Sequence, residues 1–431
     1  MKIIFWGATR EVTGSKTFIE LPKGLIMIDC GLVQGDEKTE KKNQKPLPFP
    51  PKEIKAVLVT HAHLDHSGYL PRLIKQGFSG PIYCTPATAK LMRIILTDSA
   101  SVMEEKFYTL QDVQQTLSLI KTIEWNETTS IQGGYFKFIS AGHILGASSV
   151  IIESEGKKVM FSGDLGRRND PIIPPPEKCS SVDMVVMEST YGDRNRSGDM
   201  EKELHSFLID IYRNSRVGII ASFAVARAQM LLTLIYEFHQ RHPEYKCRVV
   251  MDSPMMIEAS KVYMQFAHLT LKKGSLFSAI SEGEIIEHIK EWNSLQKKDG
   301  PLLIISSSGM LSGGRVMRHL QNWQGDSEAI LFLPGYQAIG TPGRAFLEGQ
   351  RKIKIDDGND IHWLGKVLSS DAFSSHADQS ELMDWIRDVP MFVPLFLLHG
   401  DDKVKMVFKN TLLASGRGCV NIPHDGETFE L

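Results

Sequence analysis

The chain lacks the features that would place it in a membrane, a disulfide framework or a thiolate metal site. Its five cysteines are scattered and no CxxC pair occurs, so neither disulfides nor a cysteine-ligated zinc is predicted. The longest apolar runs, such as VPLFLL, fall far short of the roughly 20 residues that a membrane helix needs. The opening MKIIFWGATREVTG indicates a strand and a turn rather than a signal peptide. We therefore expect a protein of the reducing cytoplasm with no membrane partner.

An excess of positive charge is also absent. The 49 Lys and Arg residues against 51 Asp and Glu give a formal net charge of −2. A polyanionic substrate would therefore need metal ions or arginines that are concentrated at one site. The length of 431 residues and the 42% hydrophobic content predict a globular protein of about two domains.

The predicted pattern of strands and helices changes twice along the chain. Up to residue 195, short apolar strands end in Gly, Pro and Asp turns, and one helix is predicted from about Ser99 to Ile120. From 196 to 369, strands alternate with helices, which predicts βαβ units and a parallel sheet. Residues 370–431 return to the first pattern. The predicted fold class is α/β, with one domain formed by 1–195 and 370–431 and a parallel α/β insert between them.

The most informative string is HAHLDH, which follows the apolar strand AVLVT. It holds His61, His63, Asp65 and His66 within six residues. Imidazole nitrogens and carboxylate oxygens are zinc ligands, and two His one residue apart on an extended segment can point to the same side. Asp65 and His66, at the turn into a helix, can then face a second point a few ångströms away. The string predicts a metal site at the end of this strand.

Further donors follow other apolar strands, each beside a glycine: His143, Asp164 and His399. Together with HAHLDH they resemble the metallo-β-lactamase superfamily, whose fold is an αββα sandwich. The resemblance implies two Zn²⁺ ions per chain, and it implies that Asp29, in IDCGLVQG, orients a ligand from behind. It places His61, His63 and His143 on one zinc, Asp65, His66 and His399 on the other, and Asp164 between both.

The insert between Asp164 and His399 resembles the β-CASP group, the nucleic-acid-processing branch of the superfamily. Glu188 in MESTYGDR resembles motif A, His376 in AFSSHAD motif B, and His399 in LLHGD motif C. GATREVTGSKTF, SSSGMLSGGR and GYQAIGTPGR are similar to relatives of the nuclease subunit of the cleavage and polyadenylation specificity factor. DNA-repair members generally lack a histidine at motif C, so His399 favours RNA. Ala226 departs from the glycine that relatives often carry there.

Three turns of the insert end in an arginine: Ser222 to Arg227, Ser306 to Arg315, and Gly335 to Arg344. Successive amides in Ser- and Gly-rich turns bind anions, and the guanidinium matches phosphate geometry. Such turns at the strand ends of one parallel sheet predict phosphate contacts. The residues assigned to them are Ser222, Arg227, Ser308, Gly313, Gly314, Arg315 and Arg344.

These features predict a zinc-dependent ribonuclease in which a dizinc-bound hydroxide attacks phosphodiester bonds of single-stranded RNA. Asp65, His376 and Glu188 are the predicted catalytic residues, with His376 as general acid and Glu188 orienting it. An alternative for His376 is phosphate contact alone. Alternatives for the chain are a thioesterase or lactonase and an inactive RNA-processing scaffold. The RNA target, the balance of endonuclease and 5′–3′ exonuclease activity, and a homodimer all stay open.

Overall fold

The computed structural model describes residues 1–35, 37–104, 107–178, 180–285, 295, 300–338, 340–354 and 360–431. Cys179 and His288 lie outside these ranges. The chain forms two compact units, the first comprising Met1–Asn195 with Ser375–Leu431 and the second Arg196–Ser374. The described residues contain no helix with the length and apolar character required to cross a bilayer.

The first unit contains two seven-stranded sheets. In one sheet the order is β22-β1-β2-β3-β4-β5-β6, antiparallel from β22 to β3 and parallel from β3 to β6. Its strands are β1 (Lys2–Trp6), β2 (Lys16–Leu21), β3 (Gly24–Ile28), β4 (Ile54–Leu58), β5 (Ile82–Cys84), β6 (Ile120–Thr122) and β22 (Thr428–Glu430).

The other sheet has the order β21-β20-β11-β10-β9-β8-β7. It is antiparallel from β7 to β10 and parallel from β10 to β21, so β8, β10, β11 and β20 all end at the same edge. Its strands are β7 (Thr128–Ile131), β8 (Gly134–Ser140), β9 (Ser148–Ser154), β10 (Lys157–Phe161), β11 (Met184–Met187), β20 (Leu395–Leu397) and β21 (Val420–Asn421).

Apolar side chains from both sheets form one core. Ile3 and Ile26 of the first sheet and Phe138, Val150 and Val159 of the second are fully buried in the same cluster. Phe5 stacks on Phe396 with ring centroids 4.9 Å apart. Alternate side chains of a strand point to one face, so the β-branched and aromatic residues of these strands make two apolar faces that pack together.

The helices of the first unit correct one prediction. The single helix predicted from Ser99 to Ile120 is wrong, because one helix ends at Val102 and the next begins at Leu110. Thr109 and Asp112 form a reciprocal capping box, which requires a non-helical residue at Thr109. The helices are α1 (Glu37–Glu40), α2 (Leu64–Ser67), α3 (Leu70–Lys75), α4 (Pro86–Val102), α5 (Leu110–Ser118), α12 (Gln379–Trp385) and α13 (Asp402–Ala414).

The second unit is built on a six-stranded parallel sheet with the order β14-β13-β15-β12-β16-β19. β12, β15 and β16 are buried along their whole length, as expected for a parallel sheet that is covered on both faces. The strands are β12 (Val217–Ala221), β13 (Arg248–Asp252), β14 (Glu284–Ile285), β15 (Leu302–Ser306), β16 (Ile330–Pro334) and β19 (Lys366–Ser370), with a small hairpin of β17 (Lys352–Lys354) and β18 (Asp360–His362).

Side-chain caps begin several helices of this unit. Asp199 accepts from the Lys202 amide at the start of α6, and Ser253 accepts from the Met256 amide at the start of α8. The helices are α6 (Met200–Arg213), α7 (Arg227–Arg241), α8 (Pro254–Gln265), α9 (Lys273–Glu282), α10 (Arg315–Trp323) and α11 (Pro342–Leu347). The insert was predicted to end at 369, whereas this unit extends to Ser374 and includes β19.

Candidate metal centre

The predicted metal ligands follow strand ends of the first unit. His61 and His63 come after β4, and Asp65 and His66 lie on α2. His143, Asp164 and His399 follow β8, β10 and β20 respectively. Gly163 has φ 58°, and a Cβ there would lie 2.8 Å from Cβ of Thr60, so the tight turn that presents Asp164 requires glycine.

The structure brings the first predicted set together. Nε2 of His61 lies 3.1 Å from Nδ1 of His63, which lies 3.3 Å from Nε2 of His143. Oδ2 of Asp164 lies 3.5 Å from Nε2 of His61 and 3.7 Å from Nε2 of His143. Ligands of a tetrahedral zinc with bonds of about 2.0–2.1 Å are separated by about 3.4 Å, so this donor set has the dimensions of a zinc site.

The second predicted set lies beside the first. Nε2 of His399 is 3.1 Å from Nε2 of His66 and 3.2 Å from Oδ2 of Asp65. The other carboxylate oxygen of Asp164, Oδ1, lies 3.2 Å from Nε2 of His66. The two oxygens of Asp164 therefore face one donor set each. All seven predicted ligands thus converge.

Charge balance also fits a cation. Among the described residues, no Lys or Arg forms an ion pair with the carboxylate of Asp29, Asp65 or Asp164. Oδ1 of Asp164 is buried, and imidazole nitrogens of His66 and His399 lie 3.2 and 3.6 Å from it. Burial opposes protonation of His66, but Asp164, Asp29 and Asp65 outweigh it and raise its pKa well above the ordinary value. The carboxylates thus favour a positive charge at this position, and metal coordination is one way in which proteins compensate buried carboxylates.

The protonation states of the first donor set agree with metal binding. Burial lowers the pKa of His63 to about 4 and holds the pKa of His61 and His143 well below the ordinary value. Burial favours the neutral form of Asp164, but His399, His66 and His61 outweigh it and hold the pKa of this carboxyl well below its usual range. Neutral imidazoles and an ionised carboxylate are the forms that bind metals.

Asp29 lies behind the second donor set, in the position that the sequence resemblance implied. Its Oδ2 is 2.7 Å from Nδ1 of His66, and its Oδ1 accepts from the Thr60 amide at 2.7 Å. The residue is buried and has φ 56°, which an Asp at a strand end tolerates better than most residues. The bond to Nδ1 leaves Nε2 of His66 facing the donor set.

Glu188 and His376 form a pair next to Asp164. Nδ1 of His376 lies 3.2 Å from Oε2 of Glu188 and 4.0 Å from Oδ2 of Asp164. Glu188 is fixed by the Leu165 amide, which donates to its Oε1 at 2.6 Å. Burial opposes protonation of His376, but Glu188, Asp164 and Asp65 outweigh it and raise its pKa above the ordinary value. A protonated imidazole at this position can donate a proton.

Two positioning residues were missed by the sequence reasoning. The Oγ1 of Thr190 lies 3.1 Å from Nδ1 of His399, and the Oγ1 of Thr60 donates to Asp29 at 2.9 Å. Both threonines adjoin motifs that were recognised, since Thr60 precedes His61 and Thr190 follows Glu188 by two positions. Their adjacency in sequence to these motifs could have drawn attention to them. Adjacency alone does not show which neighbouring side chain contacts the site.

The predicted phosphate-binding residues all lie in the second unit, where the three arginines have partners of their own. Arg227 is buried, and its Nε donates to the main-chain oxygen of Phe373 at 3.1 Å. Nη1 of Arg315 lies 2.6 Å from Oδ1 of Asp252, and Nε of Arg344 lies 2.7 Å from Oε1 of Glu348. At least part of each guanidinium is thus engaged within the unit.

The Ser and Gly residues of these turns shape the main chain. The buried hydroxyl of Ser222 donates to the carbonyl of Phe223, and Oγ of Ser308 accepts from the Ser312 amide at 3.0 Å. Gly313 and Gly314 have φ 142° and 79° and lead into α10. The two serine hydroxyls therefore stabilise turns, and the two glycines supply the positive φ angles that the second turn needs.

Comparison with known families accounts for nearly the whole chain. Residues 10–218 match the metallo-beta-lactamase superfamily, 228–346 match the Beta-Casp domain, and 361–423 match the Zn-dependent metallo-hydrolase RNA specificity domain. Ribonuclease TTHA0252 of Thermus thermophilus is 35% identical over 99% of both chains. The chain belongs to the metallo-beta-lactamase superfamily. The resemblance and the fold class predicted from the sequence, a superfamily domain with a β-CASP insert, are confirmed.

Two further similarities are more distant. The cleavage and polyadenylation specificity factor subunit 3-I of Arabidopsis thaliana is 25% identical over 99% of this chain and 63% of its own length. A solved structure of a protein of unknown function from Enterococcus faecalis shares the fold, with a TM-score of 0.61, 15% identity and coverage of 100% of this chain and 99% of its own. Superfamily membership and the converging His and Asp side chains together indicate a metal-binding site.

Proposed function

We propose that this superfamily member is a metal-dependent ribonuclease that hydrolyses phosphodiester bonds of single-stranded RNA. The observation that carries the proposal is the pair of adjoining donor sets that share Asp164. The names of its relatives give the substrate class, since they include a ribonuclease and a subunit of an RNA-processing factor. These relatives favour RNA over the thioester or lactone substrates of the small-molecule alternative. The full set of donors argues against an inactive scaffold.

We propose two zinc ions as the metal content. The chain would hold one with His61, His63 and His143, the other with Asp65, His66 and His399, and both with Asp164. When bound, zinc supplies a water nucleophile at neutral pH and offsets negative charge on phosphate oxygens. Asp29 acts through His66, because its hydrogen bond fixes the ring and leaves Nε2 for coordination.

His376 is proposed as the general acid of the reaction. Cleavage of a phosphodiester leaves an alkoxide that needs a proton, and an imidazolium is well matched to that transfer near neutral pH. Glu188 contacts Nδ1 of His376 and so leaves Nε2 as the nitrogen that can face a leaving oxygen. The carboxylate also stabilises the charged ring, which keeps the proton in place before the reaction.

The direct experiment uses end-labelled and internally labelled single-stranded RNA and DNA, with and without a chelator. We expect RNA to be cut to products with a 5′-phosphate, and we expect the chelator to abolish cutting and added zinc to restore it. Product lengths will separate endonuclease from 5′–3′ exonuclease activity. Intact RNA after incubation with zinc-loaded protein would overturn the proposal. A homodimer and a cytoplasmic location stay predictions of the sequence.

A further inference from the structure

Phe223 is an aromatic residue at the carboxyl edge of the parallel sheet in the second unit. It follows the buried strand β12, yet 38% of its surface is exposed. Tyr336 follows β16, the neighbouring strand, and is 44% exposed. The residues just before them on both strands are buried, so two aromatic rings are exposed at one end of an otherwise buried part of the sheet.

The turns that carry these rings are held in place. The guanidinium carbon of Arg227 lies 5.0 Å from the ring centroid of Phe223. A Cβ on Gly309 would lie 3.3 Å from Cδ2 of Phe223, so this ring rests against the glycine of the next turn. Nε2 of Gln337, beside Tyr336, donates to the main-chain oxygen of Gly309 at 3.0 Å. The positions of the two turns are therefore coupled through shared contacts.

The surroundings of Phe223 suit an anionic ligand with a flat apolar part. The Arg227 guanidinium is positively charged and lies beside the ring. In the described part of the chain, the main-chain amides of Phe223, Ala224 and Val225 donate to no acceptor, and they precede the N-terminus of α7. Amides ahead of a helix N-terminus bind phosphate, whereas an aromatic face stacks on a nucleobase.

We propose that Phe223 stacks on a nucleobase of single-stranded RNA, with Tyr336 as a second stacking residue on the adjacent turn. This inference rests on the proposed ribonuclease function and adds a specificity determinant for unpaired bases. Every base has a π face, so stacking tolerates any sequence, but a paired base has its faces covered by its neighbours in the duplex. The site therefore selects for unpaired RNA without selecting a base.

The test measures KM and kcat of the zinc-loaded enzyme on a short unpaired RNA. Phe223→Ala is expected to raise KM by roughly 5- to 150-fold with a smaller change in kcat. Phe223→Trp should retain most of the wild-type KM, whereas Phe223→Leu, which keeps an apolar side chain without a ring, should not. Phe277→Ala is the matched control, because Phe277 is also exposed in the second unit but lies on α9.

RNA oligomers that lack a single base distinguish stacking by Phe223 from a merely structural role, because only stacking makes KM depend on that base. Removing the stacked base should raise KM for the wild type and abolish the difference between wild type and Phe223→Ala. A small phosphodiester without a base, methyl p-nitrophenyl phosphate, should be hydrolysed equally by both. An unchanged KM in Phe223→Ala, or a penalty that persists on every abasic oligomer, would overturn the inference while leaving the ribonuclease proposal intact. A wild-type enzyme that fails to cut RNA would instead overturn the proposed function.

Discussion

The strand ends of the two units differ in how their charged groups are paired. In the first unit, carboxylates such as Asp164 form no ion pair with a described Lys or Arg. In the second unit, Arg227 and Arg315 form hydrogen bonds to groups of their own unit. Asp164 is buried, and both of its oxygens face imidazoles. Arg315, by contrast, pairs with the buried Asp252, and Asp252 also contacts His319 at 2.8 Å. The donor groups at the first edge are those that could hold a metal ion, whereas Arg315 at the second edge forms an ion pair within its own unit.

Similar strand-end positions can therefore serve binding or stability, according to the balance of charge around them. Burial alone would raise the pKa of Asp252, but hydrogen bonds from His319 and Arg315 hold it below the ordinary value. Asp252, Arg315 and His319 therefore form an ionic cluster within the second unit. We therefore propose ligand contacts in the second unit for exposed aromatic rings and main-chain amides, and not only for arginines.

The largest expected effect follows from Asp164→Asn. An amide cannot offer two anionic oxygens to the two donor sets, so we expect loss of bound zinc and no measurable RNA cleavage. Metal analysis and a cleavage assay check this. The matched control is Asp170→Asn, a buried carboxyl that accepts from the Ile172 and Ile173 amides. If Asp164→Asn kept its full zinc content and activity, Asp164 would not be required for metal binding. The proposed difference between the strand ends of the two units would then be wrong.

His376→Ala should lower turnover on RNA by roughly 10²-fold with zinc content unchanged. The reason is that the leaving alkoxide loses its proton donor. A phosphodiester whose leaving group is p-nitrophenolate needs no proton, so its hydrolysis should fall far less. Equal losses on both substrates would mean that His376 binds phosphate instead, the alternative that its sequence position left open.

Asp29→Asn should weaken zinc binding by about 10- to 100-fold, because the amide orients His66 less strongly than a carboxylate does. Titration of zinc into metal-free protein measures this directly. Unchanged affinity would show that the 2.7 Å contact with His66 has no influence on the metal site. Asp170→Asn again controls for the loss of a buried carboxylate.

Glu188→Gln should shift the pH dependence of cleavage. Glu188 raises the pKa of His376, so the ring stays protonated to a higher pH than it otherwise would. Without that negative charge the pKa falls, the proton is lost at lower pH, and the alkaline limb of the pH–rate profile should move to lower pH. If the alkaline limb of the pH–rate profile, measured with saturating RNA, stayed at the same pH, the proposed role of Glu188 would be contradicted.

The smallest expected effects concern two arginines of the second unit, Arg315 and Arg344. Arg315→Ala should lower the free energy of unfolding by about 2–3 kcal/mol, because it removes a hydrogen bond to the buried Asp252. Arg344→Ala should leave stability unchanged, and if Arg344 contacts RNA it should reduce the salt dependence of binding by about 0.7 in log–log slope. Denaturant unfolding and binding at several salt concentrations check both. Equal stability of the two variants would contradict the structural assignment of Arg315.

The seven predicted ligands could be picked out from the sequence, and the structure brings them together, because HAHLDH is compact and each remaining one follows an apolar strand beside a glycine. The break between α4 and α5 was missed, because apolar periodicity continues across it and only the Thr109–Asp112 cap marks the second start. The partner of Arg315 was also beyond prediction. Asp252 lies 63 positions from Arg315, and nothing local in the chain indicates that the two meet.

The most direct test of the metal centre is anomalous diffraction at the zinc edge from crystals of the zinc-loaded protein. We predict two peaks, one among His61, His63 and His143 and the other among Asp65, His66 and His399, with Asp164 reaching both. A single peak, or none within coordination distance of Asp164, would contradict the shared-carboxylate arrangement on which the ribonuclease proposal depends.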